Sequence, residues 1–314
     1  MMLGRKAGQM FWLGRQMERA ENMARHVEVA YRLALTPRMG EGYHEQWAST
    51  LETTGTVDAY RSKHDAVDAR RVVHFLLFDR DNRASIMSSI DQARDNARSV
   101  RTSITREVWT AINETWIAAQ EHPRDDFRLR HVPALLEWVK QRSEQFRGAM
   151  LGTQLRNDAF YFAEAGTYLE RADNTARLLD TKYFELLPEG EDVGGEVDTY
   201  QWYAMLRAVS AHRSYKWSFR EPIRPVRVAE FMILHREMPR SLRHSWRQLA
   251  TALYDLADIY NAPSDAADRA RRVHEGLKRA DMNRIFADGL HEYLEDMIVR
   301  TNALSRDIAR TYNF

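Results

Sequence analysis

The sequence contains no cysteine among its 314 residues. This absence excludes disulfide bonds, catalytic thiolates, zinc ribbons and cysteine-ligated iron–sulfur clusters. No apolar run reaches the length of about 18 residues that a transmembrane helix requires. Charges between Arg5 and Arg19 leave no room for the apolar region of a signal peptide. We therefore expect a cytoplasmic protein that makes no membrane contact.

Glycine (14 residues) and proline (8 residues) are also scarce. A β-sandwich or barrel of this length would need many turns built from these residues, so the composition favours an all-α fold. Hydrophobic residues make up 44% of the chain, which is enough for a sizeable core. Only six of the 46 basic residues are lysine, and the net charge is +1. A near-neutral chain lacks the basic excess of a broad nucleic-acid surface, so no nucleic-acid partner is expected.

Helical periodicity runs through most of the chain. Between residues 86 and 104, apolar residues recur at steps of three and four, which places them on one face of a helix. The one strand candidate, residues 72–78, is short, and its surroundings favour a helix. The periodicity and the Gly/Pro breaks predict about ten helices, at roughly 3–35, 45–60, 64–78, 84–103, 106–121, 132–151, 153–186, 197–217, 225–260 (broken near 237–240) and 265–313 (broken near 283–288).

The chain repeats itself. GRQMERAENMAR (14–25) and GTYLERADNTAR (166–177) share seven of twelve residues at an offset of 152. FLLFDRDNRASI (75–86) and FMILHREMPRSL (231–242) form a weaker pair at an offset of 156. Both pairs run in the same order, with offsets close to half the chain length. We predict two helical halves, 1–152 and 153–314, related by a pseudo-two-fold axis and joined in one compact domain.

Each copy of the first motif carries a polar stripe opposite an apolar one. At 100° per residue, four polar groups fall within an arc of about 100°, and the arginine that follows the first glutamate flanks them. These candidate substrate-binding residues are Glu18, Arg19, Glu21, Asn22 and Arg25 in the first copy, and Glu170, Arg171, Asp173, Asn174 and Arg177 in the second.

Three interpretations of the stripes remain open. They can be solvated faces held by weak ion pairs. They can be buried against each other as a hydrogen-bonded network that locks the halves together. They can also line a site between the halves, where the arginines clamp a substrate carboxylate or phosphate or the carboxylates hold Mg²⁺.

Further signals are weaker. Arg94, Arg98 and Arg101 form a second basic stripe that suits either surface ion pairs or anion binding. Neither motif contains the Glu-x-x-His of a di-iron bundle, so no metal site is predicted, although Mg²⁺ is left open as a cofactor. The sequence also has no phosphate loop, dinucleotide-binding, zincin or nucleophile-elbow motif. No catalytic residue is predicted.

The sequence resembles the bacterial alpha-E family, an all-helical family named for a Glu-Arg motif. The resemblance is carried by residues 3–25, by residues 74–101, by ERADNTARLLD (170–180) and by residues 228–246. It implies association with a circularly permuted ATP-grasp ligase, and in many cases with a transglutaminase-like protease, in amide-bond formation or peptide modification.

Three functions follow as hypotheses. The first is a helical partner of an ATP-grasp amide ligase that binds an amino acid or peptide through the two Glu-Arg motifs. The second is a stand-alone enzyme that uses carboxylates, with or without Mg²⁺. The third is a non-catalytic scaffold whose stripes are internal locks.

Overall fold

The computed structural model describes residue 2 and residues 4–35, 42–122, 127–185 and 195–314. Within these ranges every regular element is a helix, which confirms the all-α class. No helix in the described part of the chain is both long enough and apolar enough to cross a membrane. Most of the chain between the predicted helices that end near residues 35, 121 and 186 and the next predicted helices lies outside the described residues.

Fifteen α-helices occupy the described ranges, and a 3₁₀ turn at Leu129–His131 precedes α7. The first seven are α1 Gly4–Ala34, α2 Gly42–Thr53, α3 Val57–Arg61, α4 Ala69–Leu77, α5 Ile86–Ser99, α6 Arg106–Glu121 and α7 Val132–Thr153. The remaining eight are α8 Asp158–Glu185, α9 Glu196–Ala208, α10 His212–Phe219, α11 Pro225–Leu234, α12 Leu242–Ile259, α13 Asp265–Arg279, α14 Met282–Asp288 and α15 Leu290–Thr311.

The predicted count of about ten helices is too low because several predicted helices are divided. The helix predicted over 197–217 is divided at Ser210, whose φ is positive (58°). Residues 45–60 are divided at the glycine break Gly55 (φ 65°), and Gly289 (φ 105°) directly follows the break predicted near 283–288. The helix predicted from residue 64 begins at Ala69, where Asp68 caps it by accepting a hydrogen bond from the Arg71 amide. Residues 72–77 are helical, as favoured over a strand.

The serines shared by the second repeat pair are helix caps. Ser85 Oγ accepts a hydrogen bond from the Ser88 amide at 3.2 Å and starts α5. Ser241 Oγ accepts one from the His244 amide at 3.0 Å and starts α12. The residues just before these caps are therefore held in corresponding positions at the two helix starts.

The two motif helices, α1 and α8, form the largest helix–helix interface in the described part of the chain. They approach most closely at the glycines of the repeated motif. A Cβ atom on Gly14 would lie 2.0 Å from the Ala163 carbonyl oxygen, and one on Gly166 would lie 2.0 Å from that of Phe11. Only glycine fits at these two positions, so the glycines bring the polar stripes of both helices together.

Two clusters of buried apolar residues surround this pair. The first includes Leu13 and Leu33 of α1 and draws on helices from both predicted halves. The second includes Ala24 and Val27 of α1 and is otherwise built from residues 20–139. Helix α1 therefore contributes to both cores.

Candidate functional site

The polar stripe of α1 is buried, so the solvated-face interpretation is wrong for the first copy. Glu18 and Glu21 are 1% and 0% exposed. Glu18 accepts two hydrogen bonds from Arg171 of α8, at 2.9 and 2.7 Å. Glu21 pairs within its own helix with Arg25, at 2.6 Å. Arg147 of α7 also donates to Glu21 and lies 3.5 Å from Glu18.

Arg240 completes this cluster from the loop before α12. Its guanidinium donates to Glu18 Oε1 at 3.0 Å, to Asn22 Oδ1 at 2.9 Å and to Glu21 Oε1 at 2.5 Å. We call Glu18, Glu21 and Asn22, together with their four arginine partners Arg25, Arg147, Arg171 and Arg240, the first cluster. Every carboxylate oxygen in it accepts a hydrogen bond from an arginine, as expected of a structural lock.

The second glutamate of the Glu-Arg pairs is bound in the reciprocal way. Glu170 accepts two hydrogen bonds from Arg19 of α1, at 2.6 and 3.0 Å, just as Glu18 does from Arg171. Its third bond comes from Arg15 at 2.8 Å, and Arg15 also donates to Ser305 of α15. The two Glu-Arg pairs thus join α1 and α8 by crossed bidentate ion pairs.

The rest of the second stripe is less saturated. Asp173 Oδ2 accepts a hydrogen bond from Arg177 at 2.8 Å. Asp173 Oδ1 is buried and accepts none from the described residues. Asn174 Oδ1 lies 2.5 Å from Nε2 of His26, which makes neutral His26 the donor. The Nδ2 group of Asn22, a residue 3% exposed, is likewise without a partner in the described ranges.

The pKa shifts set Asp173 apart from the two glutamates of the Glu-Arg pairs. Burial by itself raises the pKa of Glu18, but Arg171 and Arg240 outweigh it and hold the pKa below its usual value. Burial is likewise outweighed at Glu170, where Arg19 and Arg15 lower the pKa to about 2. At Asp173, burial prevails over Arg177 and the pKa is raised. Asp173 is therefore the motif carboxylate whose charge is least compensated.

A half-open cavity of about 310 Å³ lies on the side of the second stripe. We call it the motif cavity. Arg15, Arg19, Asn22 and His26 of α1 line it, together with Glu170, Asp173, Asn174 and Arg177 of α8, Ala84 before α5, and a few neighbours. The stripes are thus asymmetric: the first is closed by arginines and the second borders open space.

Sequence reasoning missed several residues of this site. Arg240, Arg147 and Arg15 each bind a motif carboxylate, but Arg240 and Arg147 are 219 and 126 residues distant from Glu21. One signal was present: in the second repeat pair, Arg240 aligns with Ala84, a change from a large cation to a methyl group.

The predicted basic stripe of Arg94, Arg98 and Arg101 lies elsewhere, and Arg101 follows the end of α5 at Ser99. The Arg94 guanidinium stacks 3.9 Å from the Trp116 ring centre, and that of Arg101 lies 5.3 Å from the Trp109 ring centre. Arg98 is exposed. None of the three lines the motif cavity, and anion binding by them remains a prediction.

Within the described residues, no three His, Asp or Glu side chains are arranged to hold a metal ion.

The crossed Glu-Arg pairs and the helical fold agree with a family profile. Residues 2–313 match Alpha-E, described as a predicted alpha-helical domain with a conserved ER motif. The chain belongs to the Alpha-E family. The dipeptide Glu-Arg occurs twice in it, at residues 18–19 and 170–171, where the motif helices cross.

Curated relatives of this Alpha-E chain are uncharacterised proteins of Mycobacterium bovis and Mycobacterium tuberculosis, each 24% identical over 325 residues. The alignments cover 96% of this chain and 35% of each relative, so the chain spans about a third of their length. No solved structure matches the chain.

Proposed function

We propose that this chain is the substrate-binding partner of an ATP-grasp ligase that forms amide bonds, and that the motif cavity holds the amino acid or peptide. The observation that carries the proposal is the cavity itself, which both motif helices border and which is lined by Asp173 and Asn22, two residues that each have a buried side-chain atom without a partner among the described residues. Its volume of about 310 Å³ is at the lower end of the range for small-molecule sites and suits a ligand the size of an amino acid.

The chemistry of the cavity fits such a ligand. Asp173 Oδ1 is an acceptor and Asn22 Nδ2 is a donor, and buried groups of this kind lose free energy when they remain unpaired. A ligand with both a donor and an acceptor would satisfy them together. An amino acid or a peptide carries both.

We also propose that the halves 1–152 and 153–314 are related by a pseudo-two-fold axis that passes between α1 and α8. The packing supports this relation: α1 packs on α5 and α7, while α8 packs on α12 and α15. The glycine contacts and the Glu-Arg pairs at the crossing are reciprocal as well. The cavity would then be the place where the two halves differ.

Partnership with a ligase is supported by the family resemblance and by the length of the relatives. In those proteins the matching region is joined to further sequence about twice as long. An arrangement in which the ligase binds ATP and the helical chain binds the acceptor fits a long composite protein.

The test is an assay of ATP-dependent amide formation by a circularly permuted ATP-grasp ligase from the same organism, with and without the purified chain. We expect the chain to raise the rate or to change the product. Asp173→Asn, which removes the least compensated charge of the cavity, should abolish this effect while leaving the fold intact. Asp95→Asn, on the exposed face of α5, is the matched control and should behave as wild type.

If the wild-type chain changes neither rate nor product, the proposal fails. If Asp173→Asn retains the full effect, the chain acts as a scaffold. The arginine-saturated first cluster would then serve to hold that scaffold together. A scaffold would still co-purify with the ligase, so co-purification is measured in parallel.

A further inference from the structure

The two motif copies differ in the number of arginines that bind the second acidic residue of the motif, Glu21 or Asp173. Glu21 Oε1 binds both Arg25 and Arg240. Asp173 corresponds to Glu21 in the repeat, and Arg177 to Arg25, yet no second guanidinium reaches Asp173 Oδ1 within the described residues. The residue that aligns with Arg240 is Ala84, and it lines the cavity.

The local structure supports this correspondence. Ala84 and Arg240 each directly precede the serine cap of a helix, Ser85 for α5 and Ser241 for α12. Helix α12 packs on α8, and Arg240 reaches across to the stripe of α1. Helix α5 packs on α1, and Ala84 lines the same cavity as Asp173 of α8. The cavity is therefore the space that an arginine at residue 84 would fill.

We propose that the motif cavity takes the guanidinium group of an arginine-containing ligand, either free arginine or an arginine side chain in a peptide, at the position beside Asp173 that Arg240 holds beside Glu21. The inference rests on the proposed function, from which it takes that the ligand is an amino acid or a peptide. It adds that the ligand contains arginine. The planar guanidinium has five N–H donors and can bind a carboxylate through two of them.

Each arginine of the cavity is already paired with one of the cavity's two carboxylates. Arg15 and Arg19 are bound to Glu170, and Arg177 to Asp173. The first cluster holds two carboxylates and four guanidiniums, with Arg240 among them. The cavity holds two carboxylates and three guanidiniums, so one guanidinium from a ligand would give it the same composition.

The remaining polar atom fits the other end of the ligand. Asn22 bridges the two sites, because its Oδ1 accepts a hydrogen bond from Arg240 while its residue lines the motif cavity. With Oδ1 engaged, Nδ2 is a donor for a carbonyl or carboxylate oxygen. Arginine, whether free or in a peptide, supplies such an oxygen.

The experiment is titration calorimetry on the purified full chain with L-arginine, L-citrulline, L-glutamate and N-acetyl-L-arginine amide. Citrulline has the shape of arginine without its charge. We expect L-arginine or its peptide-like derivative to bind at least about tenfold more tightly than citrulline, since hydrogen bonds to a charged group are the stronger ones. Comparison of the two arginine compounds distinguishes the free amino acid from a peptide.

Two variants locate the binding. Ala84→Arg should fill the cavity with a built-in guanidinium and abolish arginine binding, whereas Ala287→Arg, at an exposed alanine of α14, should not. Asp173→Asn should weaken arginine binding about tenfold or more, and it keeps the test valid if Ala84→Arg does not fold.

Three outcomes overturn the inference: no binding of either arginine compound, citrulline or glutamate bound as tightly as arginine, or arginine binding untouched by Asp173→Asn. Tight glutamate binding in the cavity would leave the proposed function standing. Arginine binding without any effect on the ligase would support the inference and contradict the proposed function.

Discussion

At the scale of single residues, the corresponding carboxylates of the two motif copies, Glu21 and Asp173, have different arginine partners and opposite pKa shifts. Glu21 is surrounded by arginines, and its pKa lies well below the usual value because Arg240, Arg25 and Arg147 outweigh the effect of burial. Asp173 keeps one arginine, and burial raises its pKa. Removing one partner from a buried ion pair costs about 3–5 kcal/mol, so the loss of a single arginine from the first cluster should destabilise the fold.

From the sequence, burial of the two stripes against each other was one of three open interpretations, and the asymmetry between the stripes could not be predicted. The polar arcs on both motif helices and the flanking arginines were readable from the repeat. The closing residues, Arg240 and Arg147, were not, because helical periodicity carries information about one helix and these residues come from others. His26 lies off the face of Glu21 on its own helix, yet it bonds Asn174 of α8.

His26 gives a prediction about pH. Burial, with a smaller contribution from Arg177, lowers its pKa from the ordinary value of 6.5 to about 4 despite the bond to Asn174. The unfolded chain therefore binds a proton at pH 5 that the folded chain does not, and His26 lowers stability as pH falls from about 6.5 toward 4. At pH 5 this effect is about 2 kcal/mol relative to pH 7.5. His26→Gln keeps a donor for Asn174 and should remove it.

The measurement is the free energy of unfolding in urea at both pH values. The loss between pH 7.5 and pH 5 should be smaller in His26→Gln by about 2 kcal/mol. His131→Gln, at an exposed histidine, serves as the control and should lose as much as wild type. An equal loss in His26→Gln and wild type would show that His26 is not the group responsible.

At the scale of the elements, periodicity predicts helices well and their ends less well. The apolar stripe of residues 86–104 is buried throughout, from Ile86 to Ile104. Yet α5 ends at Ser99, and the helix predicted over 197–217 is divided at Ser210. Ser210 Oγ accepts a hydrogen bond from Arg25 at 3.1 Å, so a tertiary contact holds that turn. Because the apolar stripe continues across a helix end of this kind, the apolar periodicity of the sequence could not reveal where the helix ends.

The crossing of α1 and α8 gives a prediction at this scale. Gly14→Ala would place a Cβ atom 2.0 Å from the backbone oxygen of Ala163, which cannot move aside without shifting α8. Overpacking costs about 1–3 kcal/mol, against about 1 kcal/mol gained when alanine replaces glycine in a helix. We expect Gly14→Ala to lower the free energy of unfolding on balance.

Gly148→Ala is the matched control, since it lies in the middle of α7 with nothing within 4 Å of the added carbon. It should stabilise the chain by up to about 1 kcal/mol. Both variants are compared by urea unfolding at neutral pH. A Gly14→Ala variant as stable as Gly148→Ala would mean that the helices do not cross this closely.

At the scale of the whole molecule, the predicted halves are not matched by two separate cores. One cluster of buried apolar residues contains Leu253 and draws on both halves. The other contains Leu76 and is confined to residues 20–139. Helix α1 supplies side chains to both. Because one helix is shared by both apolar clusters, we expect the chain to unfold as one cooperative unit despite its length.

This coupling can be tested with two equivalent cavities. Leu76→Ala and Leu253→Ala each remove a fully buried side chain, and such changes cost about 2–5 kcal/mol. We expect each variant to shift a single urea transition, with far-ultraviolet circular dichroism and tryptophan fluorescence coinciding. The fluorescence reports on both clusters, because Trp47 is buried in the second and Trp246 in the first. If Leu76→Ala instead produced an early partial transition that left the Leu253 region at the wild-type midpoint, the two cores would be independent domains. The Glu-Arg network would then be an interface between them.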